Sequence, residues 1–195
     1  MMPTTDISQK FEHLFTVIRL EQFLKMEALG GEIPFFISTY NPAQEVDVRK
    51  AINGLRKKLA TSGIPVLELN LYEIALDILD EQLGPGEIFA IEEQMDKEEF
   101  KNALQSVLDI HDVFMPRISS LIAAEPAKVY FLTGVGQVFP FMRSHNILNN
   151  LQNVAKDAPT VMFFPGNYTG QSLELFGLLK DDNYYRAFNL DNYKI

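Results

Sequence analysis

Apolar residues in this chain follow two rhythms. Across 7–29, ISQKFEHLFTVIRLEQFLKMEAL, Phe11, Leu14, Phe15, Ile18, Phe23 and Met26 recur at near-helical spacing, and Gly30-Gly31 follows as a stop signal. One N-terminal helix is expected. PFFISTY at 34–40 is instead a continuous apolar run with β-branched and aromatic residues, the pattern of a strand covered on both faces. Asn41-Pro42 closes it, and Val46, Val48, Ile52, Leu55 and Leu59 outline a helix ending at Ser62-Gly63.

The same unit then repeats. IPVLELNLY at 64–72 predicts a strand feeding a helix over about 72–82, broken by Gly84-Pro85-Gly86. Residues 87–124 read as a helical insertion, with an acidic helix near 96–110 and a second piece near 112–123. After Pro126, KVYFLTG predicts a strand, 141–155 a helix, TVMFFPG at 160–166 a strand, 171–180 a helix and YRAFNL at 185–190 a strand. Near-continuous apolar strands alternating with helices need cover on both faces. The expected fold is therefore α/β: a mostly parallel, doubly wound sheet of about five strands in a single domain over 1–195.

Composition agrees with a packed globular chain. Of 195 residues, 47% are hydrophobic and 22% charged, close to average usage, so wholesale disorder is not expected. The absence of cysteine excludes disulfides, zinc–thiolate sites, iron–sulfur clusters and cysteine nucleophiles. No basic segment followed by an apolar run opens the sequence, and no stretch approaches about 18 uninterrupted apolar residues, so the reading is cytoplasmic with no membrane span. A net charge of −9 opposes the phosphate contacts that dominate nucleic-acid affinity, so strong direct DNA binding is not expected.

Ligands of open α/β sheets bind outside the carboxyl ends of the strands, which directs attention to the turns at 38–41, 70–72, 133–137 and 165–168. KVYFLTGVGQVFPFMR has the strand and glycine turn of a phosphate site, but it lacks the spacing G-x-x-x-x-G-K-[ST] and the third glycine of G-x-G-x-x-G. Thr133, Gly134 and Gly136 stand as anion- or partner-binding candidates, beside a structural role for the glycines in a tight turn. Arg143, followed by His145, could grip a phosphate or carboxylate in bidentate fashion, or serve only as a surface ion pair. Gly166, Asn167 and Tyr168 in FFPGNYTG are read as a strand end opening a loop, where turn chemistry explains the residues equally well.

Other chemistry finds little support. His13, His111 and His145 form no i, i+4 metal pair, and no G-x-S-x-G elbow occurs. DKEEFKNALQ reads as a solvated helical face, and the acidic pair in DDNYY at 181–185 as capping and solubilising. No catalytic residue, metal ligand or cofactor is expected.

FLTGVGQVFPFMRSHNILNNLQ and PTVMFFPGNYTGQSLELFGLLKDDNYYRAFNL, with GGEIPFFISTYNPAQE and GIPVLELNLYEIALDIL, resemble the BrxB family, the B component of the bacterial BREX bacteriophage-exclusion system. The resemblance covers nearly the whole chain. It implies a small cytosolic subunit needed for phage defence, encoded beside the alkaline-phosphatase-like PglZ, a DNA methyltransferase and a large ATPase. Its motifs carry no catalytic assignment, so no active-site residue is transferred. The sheet would then be a scaffold in the style of the P-loop ATPases with the phosphate loop missing. The expected role is a non-catalytic adaptor that binds another BREX component, above all a PglZ-like subunit, and self-association is compatible with it. The alternative is a nucleotide or phosphate binder with weak enzymatic activity, using the 133–137 turn and Arg143.

Overall fold

The computed structural model describes residues 6–26, 35–151, 153–181 and 187–193. Helix α1 (Ile7–Ile18) starts where the side chain of Asp6 accepts the backbone N–H of Gln9 at 3.1 Å, satisfying one of the donors a helix start leaves open. It ends early. At Arg19 and Leu20 the chain leaves the helix, and a single turn, α2 (Glu21–Leu24), follows. The single helix expected over 7–29 is therefore two pieces, because Phe23 turns into the core beside Phe36. The rest of that segment, with Gly30-Gly31, lies outside the described residues.

Strand β1 (Phe35–Tyr40) leads through a short turn to α3 (Glu45–Thr61), and β2 (Val66–Asn70) leads directly into α4 (Leu71–Leu83). Asn70 makes this junction abrupt: its Oδ1 accepts the N–H groups of Tyr72 and Glu73 at 3.1 and 3.3 Å. Next come α5 (Glu87–Glu92), α6 (Lys97–Val107) with a capping box between Asp96 and Glu99, a π-helical turn at Ile110–Phe114, and α7 (Met115–Ala124). These connect β2 to β3 (Val129–Thr133), and Leu104, Leu108, Phe114, Met115 and Ile118 enter the same core cluster as the strands. The segment expected as an insertion thus covers the sheet.

Helix α8 (Ser144–Leu151) and β4 (Thr160–Tyr168) follow. A correction comes at 171–180, where a helix was expected. The chain forms an antiparallel hairpin of β5 (Leu173–Leu175) and β6 (Leu179–Asp181), joined by a tight turn with Phe176 and Gly177 at φ of 58° and 69°. Leu173 and Leu175 point inward at strand spacing, and a left-handed pair of residues cannot continue a helix. Finally β7 (Phe188–Asn189) takes the place expected at 185–190, of which 185–186 lie outside the described residues.

Strands lie in the order β2-β3-β4-β1-β7, and every neighbouring pair on this path is parallel. Alternation along the strands divides the core. Phe36, Val66, Val129, Phe131, Val161 and Phe163 point to one face, where α1 and α3 cover them. Ile37, Leu67, Leu69, Tyr130, Leu132, Met162 and Phe164 point to the other, under α4, α6, α7 and α8. Helices on both faces make the doubly wound α/β architecture expected from the sequence. The segment after β1 leaves over the first face and the segment after β4 over the second, and the carboxyl edge near such a reversal is where these sheets form ligand sites.

Candidate functional site

The loop at 134–143 joins β3 to α8, and its glycines have distinct duties. Gly134 has φ +72°, and a Cβ there would come 2.3 Å from Asn70 Oδ1 and 3.0 Å from the Tyr72 nitrogen. No side chain fits, because this atom is the cap of α4. Gly136 has no positive φ; a Cβ would meet Phe176 and Pro165, each at 2.8 Å. It lets the loop press against the hairpin turn. The loop then coils on itself, with the N–H of Val138 donating to Gly134 O at 3.0 Å and that of Met142 to Val138 O at 3.2 Å. The helix after the glycines begins only at Ser144, so they do not sit at a helix N-terminus as in a phosphate loop.

The hairpin forms the opposite wall. β4 pairs with β1 as far as Pro165, then Gly166, Asn167 and Tyr168 continue as strand and pair antiparallel with Leu175, Glu174 and Leu173. The loop expected at 165–168 is therefore strand. A Cβ on Gly166 would lie 2.1 Å from the carbonyl oxygen of Glu174, so glycine allows this close pairing. Asn167 donates from Nδ2 to Glu174 Oε2 at 2.8 Å, and the Tyr168 hydroxyl donates to Ala187 O at 2.7 Å, tying the hairpin to the segment before β7.

Between loop and hairpin lies a cavity of about 320 Å³ at the carboxyl edge of the sheet. Val135, Phe139, Met142, Phe164, Leu173 and Leu175 form its apolar walls, and Leu178 and Leu179 stand at the rim, the first 82% exposed. Arg143 and Lys180 bring two cations to the same rim. Among the described residues Arg143 has no ion-pair partner. This volume matches the lower end of ligand pockets, which are mostly apolar with a few polar groups placed at the edge.

On the other face of the sheet a pocket of only about 20 Å³ lies against α3, lined by Tyr40, Glu45, Arg49, Glu68, Asn70, Thr133, Gly134 and Gln137. Several of its polar groups are engaged with one another or with α3. Thr133 donates to Glu68 Oε1 at 2.8 Å, and Arg56 of α3 binds the other oxygen of that carboxylate. The Tyr40 hydroxyl donates to Glu45 Oε2 at 2.6 Å; burial first, and then this bond, push the phenol far above its ordinary range.

The candidate residues therefore divide. Arg143 lines the cavity mouth; Gly136, Gly166, Asn167 and Tyr168 shape its walls; Thr133 and Gly134 belong to the opposite side. The side chain of His145 lies outside the described residues. Sequence reasoning did not bring Leu175, Leu178 and Lys180 into the site. The period-two spacing of SLEL followed by Phe-Gly is compatible with the hairpin that gathers them, though helical spacing fits the same leucines.

A family model described as BREX protein BrxB matches residues 67–190, a span that includes the whole cavity. A BREX protein BrxB from Bacillus cereus (strain H3081.97) is 38% identical over 188 residues, covering 94% of this chain and 97% of that protein. The chain belongs to the BrxB family. A second relative of that description, from Escherichia coli O9:H4 (strain HS), is 31% identical over 176 residues, covering 89% of this chain and 86% of its own length. No solved structure matches this BrxB family member. Among its described residues, no helix is long and apolar enough to cross a membrane, and no three metal-ligating side chains are grouped to hold an ion.

Proposed function

We propose that this BrxB family member is a non-catalytic adaptor of the BREX machinery, docking another component at the carboxyl edge of its sheet. The observation that carries this reading is the cavity, a hollow of mixed lining with apolar side chains in its walls and exposed leucines and two basic residues at its rim. Its walls offer neither a nucleophile paired with a base nor two carboxylates, while pockets with apolar walls seat the few side chains that dominate interface energy. The PglZ-like subunit is the component we assign as partner, following the family's composition.

Affinity purification of the tagged protein from a strain carrying the complete defence cassette tests the reading. The expected result is co-purification of the PglZ-like subunit at low and moderate salt. Failure to recover any cassette component at low salt overturns it.

A second reading is a nucleotide or phosphate ligand, favoured by Arg143 and Lys180 at the mouth. Thermal shift with ATP, GTP and cyclic nucleotides separates the two, because a saturating ligand raises the melting temperature and a protein-docking pocket does not respond.

A further inference from the structure

Two basic residues line the cavity mouth of an acidic chain. The chain bears a net charge of −9, yet the two charged residues lining this hollow, Arg143 and Lys180, are both cations. They sit on its two walls, Arg143 at the end of the 134–143 loop and Lys180 on β6. Each wall also brings apolar side chains, Phe139 and Met142 from the loop and Leu173, Leu175, Leu178 and Leu179 from the hairpin. Close packing at two glycines brings the walls together: Gly136 lies against Phe176 and Pro165, and Gly166 against the Glu174 carbonyl. An opening with this shape is preformed in the chain.

We infer that the cavity binds a short partner segment in which an apolar side chain is followed or preceded closely by an aspartate or glutamate. This rests on the adaptor reading and deepens it by naming the chemistry of the partner. The apolar side chain enters between Phe139 and Leu175, where it buries its surface against both. The acidic side chain stays at the rim, where the guanidinium of Arg143 donates two parallel hydrogen bonds to its carboxylate. Leu178, exposed to 82%, closes over the segment as part of the contact.

Size argues for side chains rather than a whole helix face. A hollow of about 320 Å³ is at the small end of pockets and takes one or two apolar groups. Charge argues for an acidic neighbour, since a basic segment would meet the guanidinium of Arg143, which has no ion-pair partner among the described residues.

Three substitutions on exposed positions test the inference in the complex purified from the native cassette: Arg143→Glu, Leu178→Asp and, as a control toward the C-terminal end of α3, away from the carboxyl edge of the sheet, Lys57→Glu. With melting temperatures near wild type, the first two should lower the affinity for the captured subunit about tenfold or more and the control should leave it unchanged. A photo-cross-linking residue at position 178 should then mark a partner segment with an apolar residue within two positions of an acidic one. Changing that acid to lysine should restore binding to the Arg143→Glu variant. Retained binding by both rim variants, or a cross-link to a basic segment or to a small amphipathic anion, overturns the inference and leaves the adaptor reading standing. Absence of any captured subunit with the unmodified protein overturns both.

Discussion

The carboxylate of Asp191 lies 2.7 Å from the ammonium of Lys10, joining the C-terminal turn to the first helix. It also accepts the Ser38 hydroxyl at 2.7 Å and the Thr39 N–H at 3.0 Å, so one side chain fastens α1, the end of β1 and the turn after β7. Lys10 completes the circuit by donating to Thr39 O at 2.6 Å. Side-chain exposures of 9% and 20% leave little water to replace a lost partner. Asp191→Ala should therefore cost about 3 kcal/mol, as removal of one member of a buried pair does. The denaturant midpoint of the variant checks this, and the Lys10→Met, Asp191→Leu double variant should lose less than the sum of its singles. A midpoint equal to wild type for Asp191→Ala would show the network to be without consequence.

Gly134 and Gly63 both have positive φ, +72° and +76°, but only Gly134 lacks room for a side chain. Gly63→Ala should cost about 1 kcal/mol for the left-handed backbone alone. Gly134→Ala should cost about 3 kcal/mol, because the new methyl collides with Asn70 and disturbs the cap of α4. Urea unfolding of the two variants side by side reads the difference. Equal losses would mean that the close approach to Asn70 carries no energetic weight.

Tyr40 gives a pH signature. Its phenol is held neutral in the folded chain by burial and by the bond to Glu45, while in the unfolded chain it ionises near pH 10, about the ordinary value. A folded-state value raised above the unfolded one gives stability that is fully present below pH of about 10 and is lost as pH rises beyond it. Tyr40→Phe should therefore flatten the alkaline fall of the urea midpoint between pH of about 9.5 and 11. An unchanged slope would contradict the assignment.

For catalysis and DNA the expectation is negative on both counts. The protein, freed of contaminating ATPase, should show no ATP turnover, since neither the lysine nor the hydroxyl of a phosphate loop follows the 134–136 turn. Release of phosphate that disappears with Arg143→Ala would overturn this. Duplex DNA should bind with a dissociation constant well above about 1 μM at about 150 mM salt, because the net charge of −9 repels the backbone. Sub-micromolar binding in a fluorescence-anisotropy titration would show a basic face strong enough to prevail.

Local pattern alone determined the sheet. FFISTY, VLELN, VYFLT and TVMFFP place apolar residues on both faces of a strand, and a strand of that composition is stable only when both faces are covered, which demands helices above and below. The lone acid in VLELN, Glu68, could be placed in a strand from sequence, but its partners Arg56 and Thr133 come from a helix and a neighbouring strand. Leu173, Leu175, Leu178 and Leu179 were ambiguous between a helix face and a hairpin, because four leucines in seven residues satisfy either spacing. Pairing of 166–168 with 173–175 decided for the hairpin, a contact that no local rule encodes. Arg143 was legible as a polar residue after a glycine turn; that it shares a hollow with Leu175 and Lys180 of the hairpin was not. Backbone propensity acts over a few residues, whereas the cavity is made by segments 135–143, 164 and 173–180, brought together only when β4 runs past the sheet edge and folds back.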